Sequence, residues 1–242
     1  MKERGMIFNG EMVRAILDGR KTQTRREVKL NLDIACLATT YDWATSLAAN
    51  HYQGLTEEQI QQKAESLRGV IHPVILGNGQ MVSIICPHGK PGDRIWVREA
   101  FRVHSRATDV ATLIYKASER NSWTEQTHRV PVAVCNKPAT PEKWTPSLHM
   151  PRWASRILLE ITDVRVERLN TISEKDATAE GVPPAGSLLP DYPGTFLTPK
   201  GDFATAKVAF QRLWESIYGE ESWKANGWVW VISFKRVEGG AA

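Results

Sequence analysis

Two side chains near the N-terminus have the types and the spacing to act together as a base and a nucleophile. Lys21 and Thr24 lie three residues apart in the basic, hydroxyl-rich stretch 19–26. In an extended strand these side chains would point to opposite faces, whereas a tight turn or a helical turn can bring them together. An amine beside a hydroxyl is a possible base and nucleophile. The alternative is a solvated basic surface that complements the negative C-terminal end of a helix.

Few other residues have the spacing of a reactive or metal-binding site. Cys86 and His88 could supply two metal ligands, but the sequence offers no second pair at a convincing spacing. We therefore expect neither a metal nor a cofactor. His149 is a single histidine in a loop, where a structural hydrogen bond is the commoner role. Cys36, Cys86 and Cys135 are far apart and form no C-x-x-C motif, which favours a reduced, intracellular protein.

The element that must position Lys21 is a short helix that ends just before it. Asn9 can cap the start of this helix, and Gly19 can adopt the left-handed conformation that ends it. One apolar helical face is formed by Met12, Val13, Ile16 and Leu17. The hydrophobic pattern therefore predicts that the basic stretch emerges from the C-terminal end of a packed helix.

Strand patterns dominate the rest of the sequence. We predict strands over 81–85, 94–101, 112–116, 130–134, 157–169 and 228–234, and helices over 56–67, 174–180 and 203–218. On the second of these strands Trp96 and Arg98 share a face, where they could hold a planar ligand or form a core tryptophan with an arginine at its edge. Segment 144–156, which contains Arg152 and Trp153, suits a rigid loop that approaches a ligand. Because strands and helices do not alternate regularly, a small closed barrel with peripheral helices fits better than a doubly wound sheet.

The composition places the chain among globular proteins and narrows its partners. Its 242 residues are 42% hydrophobic and 24% charged, which is ordinary for a soluble protein. The net charge of +4 permits an anionic partner. Nine tryptophans can fill a core or stack on bases. We find neither a signal peptide nor a membrane-spanning run, so we expect a cytoplasmic protein that does not bind membranes; the oligomeric state is not predicted.

These features together resemble the ASCH family, whose domain has a PUA-like β-barrel. The resemblance is carried by residues 16–25, 91–98, 157–161 and 228–234, in the order helix, G-R-K-T-x-T-R, G-D, strand, short helix and final strand. It implies an α+β fold with a small PUA-like β-barrel and peripheral helices. It also implies a single domain over 1–242, in which residues 29–80 and 182–201 are insertions.

The characterised proteins that the chain resembles are small bacterial amidohydrolases that remove acetyl from N(4)-acetylcytidine. They use the lysine and the threonine of a K-T-x-T motif together with a downstream glutamate. Lys21 and Thr24 match the first two positions, and segment 171–180 is similar to the family pattern T-L-T-E-K-x-A-x-x-E, which places Glu180 at the third. The resemblance thus implies hydrolysis of an acyl group from the exocyclic amine of cytidine or of a related modified nucleoside or base. It leaves open whether Lys21 is the base or stabilises the oxyanion.

Two departures from these enzymes bear on the substrate. Arg25 and Arg26 follow the threonine, and the chain is much longer than the compact enzymes. In its length the chain is similar to members encoded by bacteriophages or prophages, whose substrate can differ from a free nucleoside. The predicted substrate-binding residues are Arg20, Arg25, Arg26, Trp96, Arg98, Arg152 and Trp153. The same residues suit two alternatives, a non-catalytic module that binds RNA or modified nucleic acid and a ribonuclease.

Overall fold

The chain adopts a mixed α+β fold, seen in a computed structural model that describes residues 1–29, 33–38, 54–67 and 69–237. The described helices are α1 (Gly10–Leu17), α2 (Glu57–Leu67), α3 (Trp123–Gln126), α4 (Glu174–Ala179), α5 (Ala206–Tyr218) and α6 (Glu220–Lys224). The first seven strands are β1 (Glu3–Ile7), β2 (Gln23–Glu27), β3 (Ile34–Leu37), β4 (Ile71–Leu76), β5 (Met81–Ile85), β6 (Arg94–Arg98) and β7 (Phe101–Arg106). The others are β8 (Val110–Tyr115), β9 (Thr127–Pro131), β10 (Leu158–Arg168), β11 (Phe196–Leu197), β12 (Phe203–Ala204) and β13 (Trp228–Val237).

The largest sheet has five strands in the order β1-β6-β10-β13-β2. Its centre is the long antiparallel pair β10 and β13, which is interrupted by a register shift between Ile161 and Asp163. Strand β1 pairs with β6 in parallel, and β2 pairs antiparallel with β13. Strands β1 and β2, which flank helix α1 in sequence, therefore lie at opposite edges of the same sheet.

The two edges of this sheet are joined by a side chain. The Arg26 guanidinium on β2 donates a hydrogen bond of 2.7 Å to the Ile7 carbonyl of β1 and lies 5.2 Å from the centre of the Phe8 ring. The Phe8 ring also contacts Phe234 of β13, with centroids 6.4 Å apart. The sheet is thus curled, but none of the sheets in the described part of the chain closes into a barrel. A PUA-like barrel is therefore not confirmed.

Three hydrophobic clusters hold the elements together. The first lies between one face of the main sheet, α1 and the sheet β3-β4-β5, and it includes Ile16, Val74 and Trp230. The second packs α4, α5 and α6 against Val229 and Val231 on the opposite face of β13. The third belongs to the sheet β7-β8-β9. Because successive strand residues point to opposite faces, β13 contributes to the first two clusters alternately.

Three of the described helices have the caps that their sequences indicate. The Asn9 side chain accepts a hydrogen bond from Met12 N at the start of α1, and Gly19 has a φ of +73° after its end. Ser173 caps α4 by accepting from Asp176 N. Thr56 and Gln59 bond reciprocally at the start of α2. Cap positions were predictable because they depend on neighbours in sequence.

Two of the predicted strands differ from the sequence expectation. The predicted strand 94–101 is two strands, because the chain leaves β6 after Arg98 and begins β7 at Phe101. Strand β5 is not a fully buried strand, since it pairs with β4 alone among the described strands and leaves Met81 and Ile85 about 60% exposed. The predicted insertion 29–80 contributes β3 and β4, whose Ile34 and Val74 are in the main core. Residues 30–32, 39–53 and 68 of this predicted insertion lie outside the described residues.

No helix in the described part of the chain is long and apolar enough to cross a membrane.

Candidate functional site

The centre of the site is a buried ion pair between Lys21 and Glu180. The Lys21 Nζ atom donates hydrogen bonds of 2.8 Å to both Glu180 Oε2 and the Glu180 carbonyl oxygen. The Lys21 side chain is fully buried, and that of Glu180 is 3% exposed. The two residues are 159 positions apart in sequence, so tertiary structure brings this lysine and this glutamate together.

Local backbone contacts hold both partners in place. After α1 ends, the Lys21 amide donates to the Ala15 carbonyl, and the next amide, Thr22 N, donates to the Ala179 carbonyl at the end of α4. The end of α4 therefore lies against the free edge of β2. Gly181 makes this approach possible, because a Cβ atom at this glycine would lie 2.7 Å from Lys21 Cβ. Its φ of +87° also favours glycine.

Arg25 binds the other carboxylate oxygen of Glu180. Its Nη1 donates 3.1 Å to Glu180 Oε1, and its Nη2 donates 3.1 Å to Glu167 Oε2. Asp176 Oδ2 lies 3.7 Å from the same Nη2 atom. Arg165 bridges Glu167 and Asp176 in turn, at 2.6 and 3.1 Å. Glu180 therefore belongs to a network of cations and carboxylates that spans β2, β10 and α4.

Burial lowers the pKa of the Lys21 amine from its ordinary value of 10.5. Glu180 opposes this effect by its charge and its hydrogen bond, whereas Arg26 and Arg25 add to it. The direction follows from desolvation, which disfavours a charged ammonium group in a water-free site. Lys21 thus loses its proton at a lower pH than a surface lysine does, and the neutral amine that results can accept a proton.

Thr24 lies next to this pair but does not bond to it. Its cross-strand neighbour is Ile232 in the main core, whereas Arg25 is paired with Val231 on the opposite face. Thr24 and Glu180 both line a crevice of about 10 Å³ at the edge of β2. Among the described residues, no hydrogen bond joins the Thr24 hydroxyl to Lys21 or Glu180. The structure thus brings Lys21 and Glu180 into contact and leaves Thr24 adjacent to them.

A cavity of about 430 Å³ opens above Glu180. Its polar side includes Glu11, Arg14, Arg20 and Glu180. The apolar residues that line it are Met12, Val182, Pro183, Leu197, Pro199, Ala209 and Leu213. Several of these come from 182–201, so the second predicted insertion forms a wall of this cavity. A cleft with apolar walls and a few polar groups is typical of a small-molecule site.

The arginines of the basic stretch take three different positions. Arg20 lines the cavity and donates to the Gly181 carbonyl and to Asp18 Oδ2 at 3.0 and 2.9 Å. Arg25 is buried in the charge network. Arg26 points toward Phe8 and Ile7. Of these three arginines, only Arg20 therefore lines the cavity of about 430 Å³ above Glu180.

The other predicted substrate-binding residues lie away from this cavity. Arg98 lies 5.4 Å from the centre of the Trp96 ring on the side of β6 that faces away from the main core, and it donates to the carbonyls of Ser147 and Leu148. Arg152 donates to Glu3 Oε2 at 2.9 Å. Trp153 packs edge-on against Phe101 in the third core. None of the four lines the described cavity next to Glu180, so they cannot contact a ligand held there.

Sequence reasoning missed Arg165, Glu167 and Asp176, which support the Lys21–Glu180 pair through Arg25. The sequence gives only weak signals that these three residues belong to a site. Arg165 and Glu167 lie two residues apart on one face of a strand. Asp176 lies in the first turn of a helix, where an acidic residue is favoured for local reasons. The contact of Gly181 with Lys21 could not be seen in the sequence.

The described residues contain no group of three His, Cys, Asp or Glu side chains arranged to hold a metal ion. The thiols of Cys36, Cys86 and Cys135 are all free. No family model matches the chain, and no curated protein or solved structure is significantly similar to it.

Proposed function

We propose that this protein is an amidohydrolase that removes an acyl group from the exocyclic amine of cytidine or of a related modified nucleoside. The observation that carries the proposal is the buried contact between Lys21 Nζ and Glu180 Oε2, 2.8 Å long, beside a cavity of about 430 Å³. A lysine whose pKa is lowered by burial, and whose partner glutamate lines a cleft of ligand size, is a candidate acid–base group.

We also infer that the curled main sheet is a partly open form of the PUA-like barrel and that the chain is an ASCH member. The two edge strands approach each other, since Arg26 reaches from β2 to the Ile7 carbonyl of β1. The order of helix, basic stretch, strand β6, strand β10, helix α4 and strand β13 is that of the family. The spatial proximity of Lys21, Thr24 and Glu180 agrees with this assignment.

In the first step the Thr24 hydroxyl attacks the acyl carbon. The neutral Lys21 amine takes the hydroxyl proton, a C–O bond forms, and the carbonyl electron pair moves onto oxygen. Arg20, which lines the cavity above Glu180, supplies positive charge for this oxyanion. The intermediate then collapses with cleavage of the C–N bond, and Lys21 returns the proton to the departing exocyclic nitrogen. Cytidine leaves, and the acyl group remains as an ester on Thr24.

In the second step water releases the acyl group. Lys21 takes a proton from water, the resulting hydroxide attacks the ester, and the proton goes to Thr24 Oγ as the carboxylic acid departs. The Thr24 hydroxyl and the Lys21 amine must approach each other when substrate binds, as catalytic hydrogen bonds often do. Glu180 and Arg25 hold the amine in position, because one carboxylate oxygen of Glu180 accepts from Lys21 and the other accepts from Arg25.

The test is release of cytidine and acetate from N(4)-acetylcytidine. We expect the wild-type protein to release both, Thr24→Ser to retain part of the rate, and Thr24→Val and Lys21→Met to lose it by about 10²-fold or more. Because the Lys21 pKa is lowered, the rate should rise with pH to a plateau reached below pH 10.5. Hydroxylamine should trap the acyl group if the Thr24 ester forms. If wild-type protein releases no cytidine, the proposal is wrong.

One observation favours the rival function, a module that binds RNA. Trp96 and Arg98 stack on the side of β6 that faces away from the main core, against Gly5, where an added Cβ atom would lie 2.5 Å from the Trp96 ring. A tryptophan beside an arginine can stack a base. Salt-sensitive RNA binding that Trp96→Ala abolishes, together with no release of cytidine, would support this module instead.

A further inference from the structure

A second cavity adjoins the one above Glu180. It has a volume of about 740 Å³ and shares Glu11 and Arg14 with the first cavity. The two cavities thus meet along the exposed side of α1. A ligand whose reactive group lies beside Glu180 can extend past Arg14 into this second space.

Three cations line the second cavity, and their N–H groups are largely unused. Arg14 Nη1 donates 3.2 Å to the Ala117 carbonyl, which orients the guanidinium beside Gly10. Lys116 and Arg120 are exposed, and among the described residues their side chains have neither a hydrogen-bond nor an ion-pair partner. Three positively charged side chains are therefore available to a ligand at one location.

The carboxylates of this cavity do not cancel these charges. Glu99 is buried and bonded by both oxygens to Arg156, with distances of 2.9 and 3.0 Å. Glu11 and Glu119 are the remaining acids that line the described cavity, so three available cations face two unpaired carboxylates. The balance favours an anionic group, and a phosphate with several acceptor oxygens can bind Arg14, Lys116 and Arg120 together.

We propose that the substrate is a nucleotide rather than a free nucleoside, with its acylated base beside Glu180 and its phosphate in the cavity lined by Arg14, Lys116 and Arg120. This inference rests on the proposed function for the identity of the base. The phosphate site itself is independent of the reaction, because binding can be measured with the unacylated product.

The first experiment measures binding of cytidine and of cytidine monophosphates to the full chain by titration calorimetry. We expect the 5′- or the 3′-monophosphate to bind about tenfold or more tightly than cytidine, with a difference that shrinks as salt is raised. Lys116→Gln and Arg120→Gln should lower the ratio of the monophosphate affinity to the cytidine affinity toward one. Both side chains are exposed and unpartnered among the described residues, so the fold should tolerate their loss. Lys224→Gln, on the remote helix α6, is the control and should leave the ratio unchanged.

The second experiment compares hydrolysis of N(4)-acetylcytidine, its monophosphates and a short oligonucleotide that contains it. A kcat/KM that rises with one monophosphate supports a mononucleotide substrate, and a further rise with the oligonucleotide shows that the phosphate belongs to a strand. Preferential binding of a monophosphate without any hydrolysis would retain the phosphate site and reject the proposed reaction. Equal affinity for cytidine and both monophosphates would overturn the inference.

Discussion

At the scale of single residues, Lys21 occupies an environment that lysines rarely occupy. Its ammonium group is removed from water and faces one carboxylate, whose other oxygen is bound by Arg25. Removing a charge from water is costly, and a buried pair recovers this cost only when its geometry is good and its hydrogen bonds are complete. The two 2.8 Å bonds from Lys21 meet this condition. The pair is therefore sensitive to loss of either member.

We predict that Glu180→Leu destabilises the protein by about 3–5 kcal/mol, because it leaves Lys21 buried without its carboxylate. Adding Lys21→Met should recover part of the lost free energy of unfolding, since the double variant no longer buries the Lys21 amine. Urea denaturation of both single variants and the double variant measures the coupling. The control is Lys224→Met, which breaks an exposed 2.8 Å pair with Glu221 and should not change the unfolding midpoint measurably. Equal losses in Glu180→Leu and in the double variant would contradict the prediction.

At the scale of elements, the site depends on how closely the end of α4 approaches the segment after α1. Thr22 N bonds to the Ala179 carbonyl, and Gly181 lies against both Lys21 and Ala15. The cap by Ser173 sets where α4 begins, and the short length of α4 then sets where Glu180 lies. A displacement of this helix end moves the carboxylate away from the amine.

We predict that Gly181→Ala reduces activity far more than an equivalent backbone change elsewhere. The new Cβ would lie 2.7 Å from Lys21 Cβ and 2.9 Å from Ala15 Cβ, in addition to the strain of a φ of +87°. Gly79→Ala is the matched control, because its φ is +81° but nothing lies within 4 Å. It should cost about 1–2 kcal/mol of stability and leave the proposed release of cytidine unchanged. Thermal unfolding and hydrolysis rates of the two variants distinguish these effects, and equal activity in both would refute the prediction.

At the scale of the whole molecule, the main sheet is curled and its edges are joined by side chains. Arg26 bonds to Ile7 and stacks on Phe8, which itself packs against Phe234. This contact between the two edges joins the strands that flank α1 in sequence, and α1 forms one side of both cavities discussed above. The basic stretch thus contributes to the architecture through Arg26 and to the site through Lys21 and Arg20.

We predict that Arg26→Met lowers the free energy of unfolding by about 1–2 kcal/mol, the value of a charged hydrogen bond and a cation–aromatic contact. Methionine keeps much of the apolar stem while removing the guanidinium. Amide hydrogen exchange should accelerate in β1 and β2 more than in the central strands β10 and β13. Arg129→Met, at an exposed position on β9, is the control. Uniform acceleration in all five strands would show that Arg26 does not act at the edges.

Local signals determined much of the secondary structure and the types of the candidate site residues. Asn9 caps α1 as predicted, Ser173 caps α4, and the alternation in 157–169 and 228–234 predicts the two central strands. These features follow from short-range sterics and hydrogen bonds between neighbours, which a single sequence contains. Lys21 and Thr24 were identified by their types and spacing, and Glu180 by the resemblance of segment 171–180 to a family pattern.

Only the tertiary structure decided which of these residues meet. It brought Glu180 across 159 positions to Lys21, left Thr24 adjacent without a bond, and placed Trp96 and Arg98 away from the cavity. It also left the main sheet open, with Arg26 across its edges. Pairing of distant strands and closure of a sheet depend on packing between segments far apart in the chain. Neither periodicity nor capping contains that information, because both report only on the nearest neighbours along the sequence.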